Sequence, residues 1–203
     1  MNKIFILVSC FLVLGSTSSM AIEEAAYETI LAHKNFEIRR YEPQIVAEIE
    51  VDGDFEEAGG NAFSQLFGYI SGKNLSQKKM AMTAPVSQIH SSDKMDMTLP
   101  VSQQQKNGKW LVSFMMPSNY SLGELPKPED SSIMLRELPA RNVASIKYSG
   151  FWSEEKYLYN LGLLNIWISN QELNIIGLPI WARYDAPYTP WFMRRNEILI
   201  PIE

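Results

Sequence analysis

Cysteine is all but absent from this chain: Cys10 is the only one in 203 residues. Nothing after it can form a disulfide, act as a thiol nucleophile, hold a thiolate-bound metal or carry a thioether-linked group. Histidine is nearly as scarce, with His33 and His90 alone. No His-Glu-x-x-His string, nucleophile elbow or phosphate-cradling glycine loop occurs, and no pair of carboxylates stands where acid–base work would need it. Positive charge is in deficit too. Lys and Arg number 18 against 23 Asp and Glu, a net charge of −5, which argues against general binding to phosphate backbones or anionic lipid. These absences lead us to expect a protein that is not an enzyme and has no nucleic-acid partner.

What is present begins with a leader. Met1-Asn2-Lys3 supplies a positive end, Ile4 to Leu14 an apolar run, and Ser16 to Ala21 a small polar stretch ending Ser19-Met20-Ala21. This order is that of a secretory signal peptide, too short and wrongly flanked to span a bilayer. Leu7-Val8-Ser9-Cys10 looks like a lipoprotein box, but too few residues precede Cys10 for a translocating signal. The expected mature protein is residues 22–203, periplasmic or secreted after cleavage near Ala21. Losing Lys3, the one charged residue before position 22, takes the net charge from −5 to −6. Beyond the leader no run reaches the roughly 18 apolar residues of a transmembrane helix, so no membrane insertion is expected.

The remaining length suits one domain with its own apolar core. Within it the chain repeats itself weakly. Val46-Ala47-Glu48-Ile49 through Gly53 to Glu57 reads without a gap against Val143-Ala144-Ser145-Ile146 through Gly150 to Glu154. Each block is an alternating strand, a glycine turn and an acidic helix start. Ile45, Ala47, Ile49 and Val51 share one strand face. Asp54 caps a helix whose Phe55, Ala58, Ala62, Phe63, Leu66 and Ile70 form an apolar stripe. A second helix starts near Ser153, with Tyr157, Leu158, Leu161, Leu164 and Ile168 inward. Further strands are expected at Met82–Ile89, Met95–Leu99, Trp110–Met115, Ile133–Leu138, Val143–Tyr148, Trp181–Tyr184 and Glu197–Ile202. Gln103–Gly108 suits a hairpin turn, and Ser118–Asp130, with Pro126 and Pro128, a long loop. The expected fold class is α+β: two pseudo-repeated strand-helix-strand-strand units forming a curved antiparallel sheet or distorted β-barrel flanked by two helices.

Several short strings then fall in a fixed order. They are Tyr27-Glu28, Ile38-Arg39-Arg40-Tyr41, Phe63 to Asn74, and Lys79-Met80-Ala81-Met82-Thr83-Ala84-Pro85-Val86. Phe114-Met115-Met116-Pro117, Leu125-Pro126-Lys127-Pro128 and Arg194-Arg195-Asn196-Glu197 follow. Each alone is weak, but the ordered set, from about Tyr27 to the end, resembles the SOUL family of haem-binding proteins. The resemblance implies the same two-unit fold and a cofactor that is haem or another porphyrin, held reversibly and non-covalently.

In that family the porphyrin is thought to lie in an apolar groove along the first helix, with basic residues near its propionates. Such a disc needs an apolar wall and a cationic edge. Here Phe63, Leu66, Phe67 and Ile70 supply the wall, unless they simply face the core. The cations are displaced: Asp52 to Gly72 contains no Lys or Arg, and the family's basic helix positions match Gly60 and Gly68. Propionate partners must come from Lys73, Lys78 or Lys79, or from Arg183 on a neighbouring strand. Glycine inside a helix costs about 1 kcal/mol, so Gly59-Gly60 marks close approach of another element or a ligand. Some members are discussed as using a His before the Tyr of the opening strand, but Arg40 stands there. His90, in one continuous motif with Met82, is a better axial candidate than His33. Met80, Met82, Met95, Met97, Met115 and Met116 invite a copper(I) reading, although alternate Met on a strand usually means core. The Arg194-Arg195-Asn196-Glu197 string reads as a structural lock, a buried Arg–Glu pair with an Asn bonded to backbone. Its other reading is an Arg offered to a ligand carboxylate.

The expected function is therefore an exported, monomeric, non-catalytic binder of haem or another tetrapyrrole, with weak or no axial ligation. The second reading is a pocket for varied apolar or aromatic molecules, resembling multidrug-sensing domains, with Trp181, Tyr184 and Trp191 stacking on the guest. The third is an uncharacterised enzyme working in that pocket.

Overall fold

A computed structural model describes residues 22–91 and 109–203. The leader, the expected strand Met95–Leu99 and the expected turn Gln103–Gly108 lie outside them, as do Met95 and Met97. A short strand β1 (Glu23–Glu24) and a hairpin of β2 (Tyr27–His33) and β3 (Phe36–Tyr41) lead into β4 (Gln44–Asp52) and helix α1 (Phe55–Ile70). β5 (Thr83–Ala84), β6 (Val86–Ser91), β7 (Lys109–Met115), β8 (Met134–Leu138) and β9 (Arg141–Tyr148) follow. Helix α2 (Glu154–Asn170), β10 (Ile180–Arg183) and β11 (Asn196–Ile202) complete the order. The strand expected over Met82–Ile89 is divided at Pro85, which has no N–H to give a ladder.

Among the described residues nine strands join in one sheet, in the order β2-β3-β9-β11-β10-β6-β7-β4-β8. Its neighbouring strands are all antiparallel. The internal repeat is visible in that order. β6-β7-β4 surrounds α1 in sequence and β10-β11-β9 surrounds α2, with the same arrangement within each set. The two sets meet where β6 pairs with β10. The strand preceding each set is exchanged: β3 runs into β4 but pairs with β9, while β8 runs into β9 but pairs with β4.

Alternation divides the sheet into two faces. One carries Ala47, Ile49, Val86, Val112, Phe114, Ile146, Ile198 and Ile200 and packs against both helices in the main core. Phe55, the first residue of α1, is buried at its centre. Its ring lies 5.5 Å from Trp110, 5.4 Å from Tyr157 and 4.5 Å from Trp181, so it touches both units. The helix starts are capped as the sequence requires: Asp54 Oδ1 accepts the Glu57 N–H at 2.9 Å, and Ser153 Oγ accepts the Lys156 N–H at 3.4 Å. The inner face of α2 differs from expectation by one step. Tyr157, Leu164 and Ile168 are buried, but Leu158 is exposed, and Asn160 and Trp167 turn inward instead. The other face of the sheet is concave and holds Tyr41, Met115, Val143, Ile180, Ala182 and Leu199 in a smaller core.

Candidate ligand-binding site

The outer edge of α1 carries two stacked rings. Phe63 and Phe67 are one turn apart, 5.8 Å between centroids and 8° from parallel. Phe63 is half-buried and meets Phe114 edge-on at 5.2 Å, so the sheet holds it in place. Phe67 stands beyond it, 47% exposed. The other two wall residues do not reach this surface. Leu66 is fully buried and Ile70 nearly so, both in the main core, because their positions on the 3.6-residue period face the sheet. The apolar wall open to a ligand thus narrows to Phe63 and Phe67.

Cations gather at the C-terminal end of the same helix, where the dipole favours them. The alkyl stem of Lys73 crosses Gly68: a Cβ there would stand 3.1 Å from Lys73 Cδ. Lys79 lies beside the Gly72 turn, its Cγ 3.7 Å from where a Cβ would be. Both lysines are exposed. Lys78 is engaged elsewhere, its ammonium 4.6 Å over the Tyr120 ring.

Arg183 does not join them. Its guanidinium is packed beneath the start of α1, over the Trp181 ring at 4.7 Å and near Trp152 at 5.4 Å, with Nη2 donating to Gln88 Oε1 at 3.3 Å. A Cβ on Gly59 would meet that Nη2 at 2.9 Å, so Gly59 admits the arginine, whereas Gly60 faces open space. Gly59 and Phe67 are eight residues apart, about 12 Å along the axis. Burial lowers the Arg183 pKa to about 10. The axial candidates are also on separate partners. Met82 is half-buried against the main core. His90 faces the helix side, edge-on to Trp110 at 4.7 Å, and burial lowers its pKa against the opposing pull of Glu154. His33 is exposed at the β2–β3 hairpin. Met115 and Met116 are buried on opposite faces of the sheet, in the smaller and the main core.

The Arg194–Glu197 string closes a network on the concave face. Glu197 is fully buried and accepts from Arg39 Nη1 at 2.5 Å and Nη2 at 3.1 Å, from Arg195 Nε at 2.9 Å, and from Tyr184 Oη at 3.0 Å. Burial raises its pKa, but Arg39 and then Arg195 more than offset this and hold the carboxyl below its ordinary value. Asn196 donates to the Gly150 carbonyl at 3.3 Å, tying β11 to the turn before α2. Arg194 leaves the network: its Nε donates to the Thr189 carbonyl, and its guanidinium covers the Trp152 ring at 4.5 Å.

Two features were not singled out in the sequence. The first is a cavity of about 200 Å³ on the concave face, walled by Val46, Ile89, Met115, Ile180 and Leu199 and rimmed by Gln44, Arg136 and Arg141. Glu48 was its available signal, a carboxylate between Ala47 and Ile49 in an apolar strand; it is buried and held by Arg136 at 2.8 and 2.9 Å. The second is an exposed aromatic platform, where Phe151 stacks on Trp191 at 5.4 Å and Phe192 meets Trp191 edge-on at 5.6 Å. Tyr188 and Met193 are exposed beside them in sequence. The stacking trio of the varied-ligand reading is dispersed: Trp181 is in the main core, Tyr184 bonds Glu197, and Trp191 is on the exposed platform.

Comparison with known proteins places this geometry. Heme-binding protein 1 of Xenopus tropicalis is 30% identical over 80% of this chain and 81% of its own length. Heme-binding protein 1 of Mus musculus is 28% identical over 81% and 82% respectively. Among solved structures, an uncharacterized conserved protein from Listeria innocua superposes with a TM-score of 0.63 at 11% identity, covering 84% of this chain and 93% of that one. The EcmrR C-terminal domain does so with a TM-score of 0.57 at 12% identity, covering 87% and 98%. At such identities these two share the fold alone. Residues 22–201 match the family described as SOUL heme-binding protein, and the chain belongs to that family.

Proposed function

We propose that this protein is an exported, non-catalytic, monomeric carrier of haem or another tetrapyrrole, with residues 1–21 as leader and 22–203 as its one binding domain. The ligand lies reversibly against the Phe63–Phe67 edge of α1. The observation that supports this most is Phe67, a large ring left half open to solvent, supported from behind by Phe63 and Phe114. Burying that ring under a flat apolar disc removes roughly 100 Å² of apolar surface from water, about 2 to 3 kcal/mol. Lys73 and Lys79 at the end of the helix suit the two carboxylates of one porphyrin edge. When bound, haem would supply a redox-active iron, with Phe63 and Phe67 holding its disc and Lys73 and Lys79 its carboxylates. His90 stands edge-on to the Trp110 ring and Met82 packs against the main core, so in this reading contact and charge, not axial ligation, retain the group.

Hemin titrated into the purified protein should give a Soret band that saturates near one equivalent. Phe67→Ala should weaken binding by roughly thirty- to hundredfold, the loss of about 2 to 3 kcal/mol of ring burial, and His90→Ala should leave it unchanged. A linear, unsaturating rise sinks the proposal; loss of the band in His90→Ala moves the ligand to β6 and makes it axially bound.

A further inference from the structure

The concave cavity lies on the opposite side of the sheet from α1, and its polar groups are not in balance. Among the charged side chains around it, Glu48 is neutralised in a two-pronged pair with Arg136. Arg141 is left with no carboxylate partner among the described residues. It bridges the seam of the curled sheet instead, with Nη2 on Gln44 Oε1 at 3.3 Å and its guanidinium 5.6 Å over the Tyr41 ring. Arg141 Nη1 and Gln44 Nε2 are both buried with no hydrogen-bond partner. Two orphaned donors, one of them cationic, thus border a mainly apolar chamber whose other polar lining is the Glu48–Arg136 pair, Tyr41, Ser87 and Ser113. A buried guanidinium without an anion is costly, and a ligand carboxylate is the group that matches its fork.

We infer that this cavity is a second binding site, for a small monoanion with an apolar body: a carboxylate bonded by Arg141 and Gln44, its hydrocarbon among Val46, Ile89, Met115 and Leu199. The site is distinct from the α1 surface and does not depend on haem. A volume of about 200 Å³ holds some seven waters at about 30 Å³ each, which suits a chain of roughly eight carbons. The Glu48–Arg136 pair, already satisfied, repels neither end of such a ligand.

Calorimetric titration of the purified protein with octanoate, octan-1-ol and octylamine tests this directly. Octanoate should bind saturably at one equivalent, with the alcohol and amine at least about tenfold weaker, because only the carboxylate completes the charged hydrogen bonds. Arg141→Gln should remove the preference for octanoate. Ser87→Leu, which fills the cavity from β6 and leaves every charge in place, should abolish binding of all three while hemin still saturates. Equal binding of the three amphiphiles, no saturable octanoate binding, or unchanged octanoate binding in Ser87→Leu each overturns the inference. The comparison of the three ligands needs no variant, so it stands even if a substitution fails to fold.

Discussion

Glu197 shows how a single buried charge is made tolerable. A carboxylate removed from water is held only because several donors arrive from three strands: Arg39 from β3, Arg195 at the entry to β11, and Tyr184 just past β10. Arg39 is nearly as buried, and also bonds Glu37 through Nε at 2.6 Å. Removing one partner of such a set leaves a desolvated charge behind, which is worse than removing both. Glu197→Ala should therefore cost about 3 kcal/mol or more in urea unfolding. A loss under about 1 kcal/mol, the size of an exposed pair, would show that the network carries little of the fold.

At the scale of elements, the exchange of β3 and β8 binds the two repeats together. Each repeat contributes its leading strand to the other's sheet, so neither can satisfy its own backbone edge. Phe55 adds a shared ring contact between α1 and the residues of the second unit, Tyr157 and Trp181. We expect residues 22–123 and 124–203, expressed separately, to lack a cooperative thermal transition, and mixing them to restore one. A cooperative melt in either fragment alone would mean that the repeats are independent and the exchange incidental.

The molecule as a whole should be most stable across a broad neutral window, with different groups setting each limit. On the acid side, Glu197 has a folded pKa below its unfolded value near 4.3, so it contributes stability that is complete above that value. That contribution is lost as pH falls through the folded pKa. On the alkaline side, burial raises Tyr69 to about 12, while its hydroxyl donates to the Pro126 carbonyl at 2.8 Å. A raised tyrosine contributes below the unfolded pKa near 10 and loses its effect between about 10 and 12. Urea midpoints measured from pH 3 to 11.5 should hold level through neutrality and fall at both ends. Tyr69→Phe should soften the alkaline fall, and an unaltered limb in that variant would assign it to another group.

Much of this protein was legible in its residues because local rules carry it. The repeated Val-Ala-x-Ile strand, the Gly turns and the caps at Asp54 and Ser153 follow from strand period, left-handed turns and orphan helix N–H groups, all of which act within a few residues. The ordered strings from Tyr27 to Glu197 carried the family, and the lock at Arg194–Glu197 was foreseeable in kind, since a buried acid needs a cation. Its main partner, Arg39, was not foreseeable: 158 residues separate them, and only sheet pairing brings β3 and β11 to the two sides of β9. The same holds for the two proposed ligand surfaces. Periodicity groups Phe63, Leu66, Phe67 and Ile70 on one side of a helix, but which of them meets solvent depends on where the sheet lies against it. The concave cavity belongs wholly to tertiary structure. Its rim joins Gln44, Arg136 and Arg141 from three strands, across a seam created by the sheet's curl, and no local pattern encodes that closure.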